Sequence, residues 1–250
     1  MRRRFAVTAL VALVLVAGCV GGPSEETSTA TPTPTATETT TAAPSYPTGF
    51  GPDGVTNASA AASAHADALL ASDGFTFAFN ATRRDGGERR GVYLSRVDLT
   101  DRQVLTYVHR PDTRYVQFYG DGVVYENLTQ NGETKYASQN ATIPLNGTTG
   151  RSTVAQLLGG VEYGSPERVD GGFRYGSERL VDARGIVGVD RANVSSFEAA
   201  VVVGEDGVVR SITYESTYTQ GGQQFTVTGE LATSKVGSTD VERPDWTAKA

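Results

Sequence analysis

The sequence predicts an α+β domain dominated by one antiparallel sheet, and three observations predict it. Runs rich in Val, Tyr, Thr and Phe alternate apolar and polar residues with the period of two that puts one face of a strand in a core. Turn chemistry such as Gly120-Asp121-Gly122, Gln130-Asn131-Gly132 and Glu205-Asp206-Gly207 separates those runs, as in a meander of hairpins. Helical spacing is confined to two segments, one before the strands and one between them.

In chain order, Thr56 or Asn57 can cap a helix over the Ala-rich run Ala58 to Ala71, with Gly74 as its stop. A face made mostly of alanine lets such a helix lie close on a sheet. Phe75, Phe77 and Phe79 then alternate with Thr76, Ala78 and Asn80, which defines one apolar strand face. Strands follow near Gly91 to Leu99, Gln103 to His109, Arg114 to Tyr119, Val123 to Leu128 and Glu133 to Ser138. A second helix, capped by Ser152, carries Val154, Leu157, Leu158 and Val161 at the spacing of one buried face. The last third returns to strands at Phe173 to Val181, Phe197 to Val203 and Val208 to Tyr218. A final hairpin through Gly221-Gly222 sets Ile212, Tyr214 and Tyr218 against Phe225, Val227 and Leu231. Trp246, the only tryptophan, is expected to pack the C-terminus against the rest of the domain.

The N-terminus speaks about location. Arg2, Arg3 and Arg4 precede an apolar run from Phe5 to Ala17 that is too short to span a bilayer, which needs about 20 residues. A basic start, a short apolar run and small residues before a break make a secretory signal over residues 1–18. Val16-Ala17-Gly18-Cys19 resembles a lipobox, which implies cleavage before Cys19, the only cysteine, and lipidation of its sulfur. Residues 19–50 are rich in Thr, Pro, Ala and Ser and read as a disordered tether, leaving 51–250 as one globular domain. The expected location is the outer side of the cell membrane, held there by a lipid.

Charge and composition narrow the function classes. Without residues 1–18 the chain carries 19 basic and 28 acidic side chains, a surface that repels nucleic acid. No phosphate-binding glycine loop, nucleophile elbow or Cys/His ligand cluster is present, so neither catalytic nor metal residues nor a cofactor are expected. The two histidines, His65 in the first helix and His109 before Pro111, have no ligand or triad partner at useful spacing. Six of the seven asparagines, Asn57, Asn80, Asn127, Asn140, Asn146 and Asn193, stand two residues before Ser or Thr, and are N-glycosylation candidates on an exported chain.

A lipobox, a tether, an N-terminal helix and about ten meandering strands are together similar to the LolA-like and LprG-like lipoprotein carriers. The tail Asp240-Val241-Glu242-Arg243-Pro244-Asp245-Trp246 resembles the end of lipoproteins of halophilic archaea. The resemblance implies a strongly curved antiparallel half-barrel with the first helix and one or two short helices on its concave side, and a lipid or other hydrophobic ligand held there. Phe75, Phe77, Phe79, Ile212, Tyr214, Tyr218, Phe225, Val227 and Leu231 would then line the concave face, either around a ligand or as an ordinary filled core. The alternatives are a glycosylated envelope module that contacts another protein through an exposed aromatic patch, and a hydrolase built on one of the two histidines.

Overall fold

The computed structural model describes residues 45–250, apart from 86 and 144. The signal segment, Cys19 and the tether to residue 44 lie outside the described residues. The compact unit runs from Pro44 to Ala250, so it begins before the expected boundary at residue 51. Tyr46 and Phe50 are the reason. Their rings lie 5.0 Å from Phe173 and 5.3 Å from Tyr175, and they bring apolar area that the Thr/Pro-rich residues before them lack.

A small hairpin of β1 (Phe50–Gly51) and β2 (Gly54–Val55) leads into α1 (Ala58–Leu70). Asn57 caps this helix, its side-chain oxygen accepting the Ala60 N–H at 2.9 Å. Ala61, Ala62, His65, Ala66 and Leu69 form its buried face. Gly74 is not the stop; it starts the next strand, and the helix ends at Ala71 in an ordinary helical conformation.

Six strands then meander: β3 (Gly74–Arg84), β4 (Glu88–Asp98), β5 (Gln103–Arg110), β6 (Thr113–Gly120), β7 (Val123–Gln130) and β8 (Glu133–Asn140). After α2 (Leu145–Thr148) and α3 (Arg151–Gly159) comes a second meander of β9 (Pro166–Val169), β10 (Gly172–Ser177), β11 (Val194–Gly204), β12 (Val209–Gln220) and β13 (Gln223–Ser234), with α4 (Ala183–Val187) between β10 and β11. All neighbours are antiparallel, in the order β8-β7-β6-β5-β4-β3-β13-β12-β11-β10-β9. The result is one open, strongly curved sheet of 11 strands. The two meanders are sealed at its centre by β3 and β13, where Phe79 faces Leu231.

Three turns carry the positive backbone angles expected of tight hairpins. Asp121-Gly122, Asn131-Gly132 and Gly221-Gly222 all have φ between 50° and 85° at both residues, the mirror-image turn that matches strand twist.

Several elements differ from the sequence reading for local reasons. The strand expected to reach Val181 stops at Ser177, whose hydroxyl donates to the Glu162 carbonyl and accepts the Arg179 N–H, and Leu180 turns away to bridge Val161. Val161 therefore lies past the end of α3. Ser152 is not that helix's cap, because Gly150 takes the position in a left-handed conformation at φ 67°. β9, α2 and α4 are four or five residues long, too short to show periodicity.

The core lies between the concave sheet face and the helices. Phe75, Val97, Val201, Ile212 and Leu231 from the sheet are fully buried with Leu69 of α1 and Val154 and Leu158 of α3. Gly150 matters to that packing as well as to the backbone, since a β-carbon there would stand 2.0 Å from the ring of Phe77. Gly122 has a similar φ of 75° and nothing within 4 Å. Gly122→Ala is expected to cost only the left-handed backbone term, about 1 kcal/mol, and Gly150→Ala about 2–4 kcal/mol once overpacking is added. Urea denaturation of the two variants checks the difference, and equal losses would mean that Phe77 moves aside.

Candidate functional site

The concave face is built from rows of side chains that the strand register sets side by side. Val97, Val104, Tyr119 and Val124 form one row across β4 to β7. Ser95, Thr106, Gln117 and Glu126 form the next, and Tyr93, Val108, Tyr115 and Leu128 the third. A cleft of about 440 Å³ runs over these rows, and the segment after β8 covers it with Ala141, Thr142, Ile143, Gly147 and Thr148.

Tyr119 fixes that cover at one end. Its hydroxyl donates to the carbonyl of Ala141, while the Ala141 N–H donates to Gly122 at 3.0 Å. Tyr119, Thr142 and Ile143 also line a second hollow of about 430 Å³, with Leu99, Arg102 and Asp121, so the covering segment separates two spaces.

Polar groups within the cleft are paired with one another. Tyr115 donates to the Glu126 carboxylate at 2.5 Å, and the Gln117 amide donates to the Tyr115 oxygen at 3.1 Å and to Glu126 at 3.2 Å. Burial pushes the Tyr115 phenol well above its ordinary range, and the adjacent carboxylate pushes it further. Tyr115 thus stays protonated and serves as a hydrogen-bond donor rather than as a base. What remains toward the cleft is a mixed surface of aliphatic and aromatic carbon with hydroxyl and amide groups.

Phe75, Phe77, Phe79, Ile212, Tyr214, Tyr218, Phe225, Val227 and Leu231 share the face of the cleft rows, on β3, β12 and β13. They occupy its other half, in contact with the packed core under α1 and α3, and eight are buried while Phe79 is partly so. Phe77 joins the halves, its ring 6.0 Å from that of Tyr93 in an edge-on contact. The cleft residues Tyr93, Thr106, Val108, Tyr115 and Gln117 are the ones sequence reasoning missed. The available signal was that both faces of β5 and β6 are half polar, which resembles exposure more than a lined cavity.

The histidines are placed away from any such chemistry. His65 is fully buried, its Nδ1 accepting the Val209 N–H at 3.2 Å, so Nε2 carries the proton and donates to the Thr149 carbonyl at 3.1 Å. Both nitrogens are used in tying α1 to β12 and to the residue before Gly150. His109 lies on the opposite sheet face, stacked on Tyr107 with ring centroids 6.3 Å apart. Among the described residues no group of three or more His, Cys, Asp and Glu could hold a metal ion.

The outer sheet face is covered in part by the C-terminal tail. Trp246 stacks on Tyr136, Arg243 lies over Tyr125 and the Lys249 ammonium sits 5.6 Å from the Tyr136 centroid. Val181 is the one exposed large hydrophobic residue among the described residues, and Tyr107, Tyr125, Tyr136 and Trp246 on the outer face are half-buried. No helix among the described residues is long and apolar enough to cross a membrane. Of the sequon asparagines, Asn57, Asn140, Asn146 and Asn193 are exposed and Asn80 is half-buried, whereas Asn127 is only 8% exposed and offers no accessible acceptor once folded.

The profile described as "Family of unknown function (DUF7537)" matches residues 4–250. The chain belongs to that family. No curated protein matches it. Among solved structures, it is similar to a LolA superfamily protein from Nitrosomonas europaea at 11% identity and a TM-score of 0.25, covering 74% of this chain and 95% of that one. It is also similar to a DUF1329 family protein from Desulfovibrio piger at 13% identity and a TM-score of 0.24, covering 76% and 95%. A complex of MucA and MucB from Pseudomonas aeruginosa follows at 9% identity and a TM-score of 0.18, covering 75% and 99%. Scores this low carry no functional argument.

His65 gives the domain a pH dependence of definite sign. Burial, outweighing the Thr149 hydrogen bond, lowers its pKa from 6.5 to about 4. The unfolded chain therefore binds the extra proton first, and the stability that neutral His65 contributes is fully present above pH 6.5 and lost as pH falls towards 4. The expected loss over that window is about 3 kcal/mol. Chemical denaturation across the window should show this slope in the native chain, and His65→Gln, which retains a donor and an acceptor, should remove it.

Proposed function

We propose that this protein is an exported lipoprotein, attached to the outer side of the membrane through Cys19, whose domain binds a lipid or similar hydrophobic ligand in the concave cleft and performs no catalysis. The observation that carries the binding reading is the cleft itself. A face that is solidly packed over β3, β13 and β12 is left open over β4 to β7, beneath a short covering segment and above carbon-rich rows. A core with no function would be expected to close such a space, since unfilled volume costs stability.

Non-catalytic binding is supported by the internal use of the titratable groups nearby. Tyr115 and Glu126 are hydrogen-bonded to each other, and His65 is committed to two backbone groups. Attachment is supported by the basic start, the short apolar run and the small residues before a unique cysteine. Glycosylation at the exposed sequons Asn57, Asn140, Asn146 and Asn193 belongs to the same reading.

Two measurements test it. Native mass spectrometry of the chain carrying Cys19→Ser should reveal a bound lipid or uptake of an uncharged apolar fluorophore, and Thr106→Trp, which fills the cleft, should weaken that uptake at least about tenfold. Unchanged uptake in Thr106→Trp would place the ligand elsewhere and overturn the cleft reading. Mass analysis of the native N-terminus should give a lipidated Cys19, and an unmodified cysteine would overturn the attachment.

A further inference from the structure

The cleft rows run from Tyr119 and Val124 to Tyr93, Val108 and Tyr115, toward the ends of the same strands where arginines collect. Residues 83–90 and 109–114 hold Arg83, Arg84, Arg89, Arg90, Arg110 and Arg114 against Asp85, Glu88 and Asp112, in a chain whose net charge is −6. This is a concentration of positive charge on an otherwise acidic protein. Among the described residues Arg83, Arg89, Arg90, Arg110 and Arg114 have no carboxylate within 4.0 Å, and Arg84 pairs with Glu88.

Strand alternation divides these arginines between the two faces. Arg110 follows Thr106 and Val108 on β5, so it stands on the cleft face about 7 Å beyond Val108. The neighbouring strand offers Gly91 beside it, with nothing but one carbonyl near where a side chain would be. Arg89 is on the same face of β4, opposite Arg83 of β3, whose guanidinium lies 4.0 Å from the Phe225 ring centroid. Arg90 and Arg114 point to the outer face, Arg114 over Tyr107. Two carboxylates share the cleft face, Glu126 and Glu133, and both lie on β7 and β8, away from β3, β4 and the arginine of β5. Glu126 is moreover hydrogen-bonded by Tyr115 and Gln117.

We propose, resting on the cleft reading above, that the arginine-bearing end is an anionic head-group site: the ligand is an anionic amphiphile whose chains lie on Tyr93, Thr106 and Val108 and whose phosphate or carboxylate is held by Arg110, Arg89 and Arg83. Guanidinium groups suit this because they present several planar donors, are weakly hydrated and keep their charge. The gap at Gly91 leaves room for the head group between Arg110 and Arg89. An uncharged amphiphile fills the cleft without using the arginines, and a zwitterionic one sets its own cation against them.

Three short-chain lipids with identical acyl chains test this on the full chain after removal of co-purified lipid: a phosphatidylglycerol, a phosphatidylcholine and a diacylglycerol. The phosphatidylglycerol should bind about tenfold or more tightly than the other two at low ionic strength, and the advantage should shrink with added salt. Arg89→Gln with Arg110→Gln should remove that advantage and leave diacylglycerol binding unchanged. Arg90→Gln with Arg114→Gln deletes the same charge from the outer face and should leave it intact. Equal affinity for the three lipids, or equal effects of the two double variants, would overturn the head-group site while leaving the cleft as a lipid site. Failure of all three lipids to bind would overturn the cleft reading and the head-group site together. A free inorganic phosphate that competes as well as the phosphatidylglycerol would show that the arginines hold an anion without a chain, which also overturns it.

Discussion

The chain between β8 and β9 governs this architecture, because those two strands are the opposite edges of one open sheet. Residues 141–165 must travel from one edge to the other, and a sheet of 11 strands is on the order of 50 Å across when flat. The chain makes that journey over the concave side, where curvature shortens the path. Much of what covers the sheet on that side is a stop along the crossing; α1, the residues before it at Tyr46 and Phe50, and Ala183 of α4 supply the rest. α2 and the residues before it roof the cleft, Gly150 sits against Phe77, and α3 buries Val154, Leu157 and Leu158 on the packed half.

The boundary between open and filled halves follows from the side chains available at each stop. Over β3, β13 and β12 the sheet offers large apolar residues, and α1 and α3 meet them with alanine, leucine and valine. Over β4 to β7 the rows contain Ser95, Thr106, Gln117 and Glu126, and the covering segment brings only Ile143 and small residues. His65 and Thr149 pin the transition. A neutral imidazole that joins α1, β12 and the residue before Gly150 keeps the roof and the packed helices in one register.

Much of the strand plan was legible from the sequence. Two-residue turns at Asp121-Gly122, Asn131-Gly132 and Gly221-Gly222 announce their hairpins through residues that tolerate positive φ. Within each strand the apolar residues share a face because side chains alternate with a period of two, and the register then brings the faces of β3, β12 and β13 together. What was not legible depends on contacts distant in the chain. Ser152 is a good capping residue in isolation, yet the approach of Phe77 demands glycine two positions earlier. The cleft was missed for a related reason: Thr106 and Gln117 look like exposed positions until a segment some 30 residues away, beyond three strands, is laid over them. Tyr46 and Phe50 were assigned to the tether by the composition around them, whereas their docking on Phe173 and Tyr175 is a property of β10.

The attachment of the first described residues to β10 has a mechanical side. Tyr46 packs on Phe173 near one edge of the sheet, whereas the rows of the cleft lie on strands beyond its centre, next to the other edge. Tension arriving along the chain from before residue 45 would meet these aromatic contacts first, and then α1 and β3, which follow in the chain, so beyond the contacts the load enters the sheet at its centre and not at an edge.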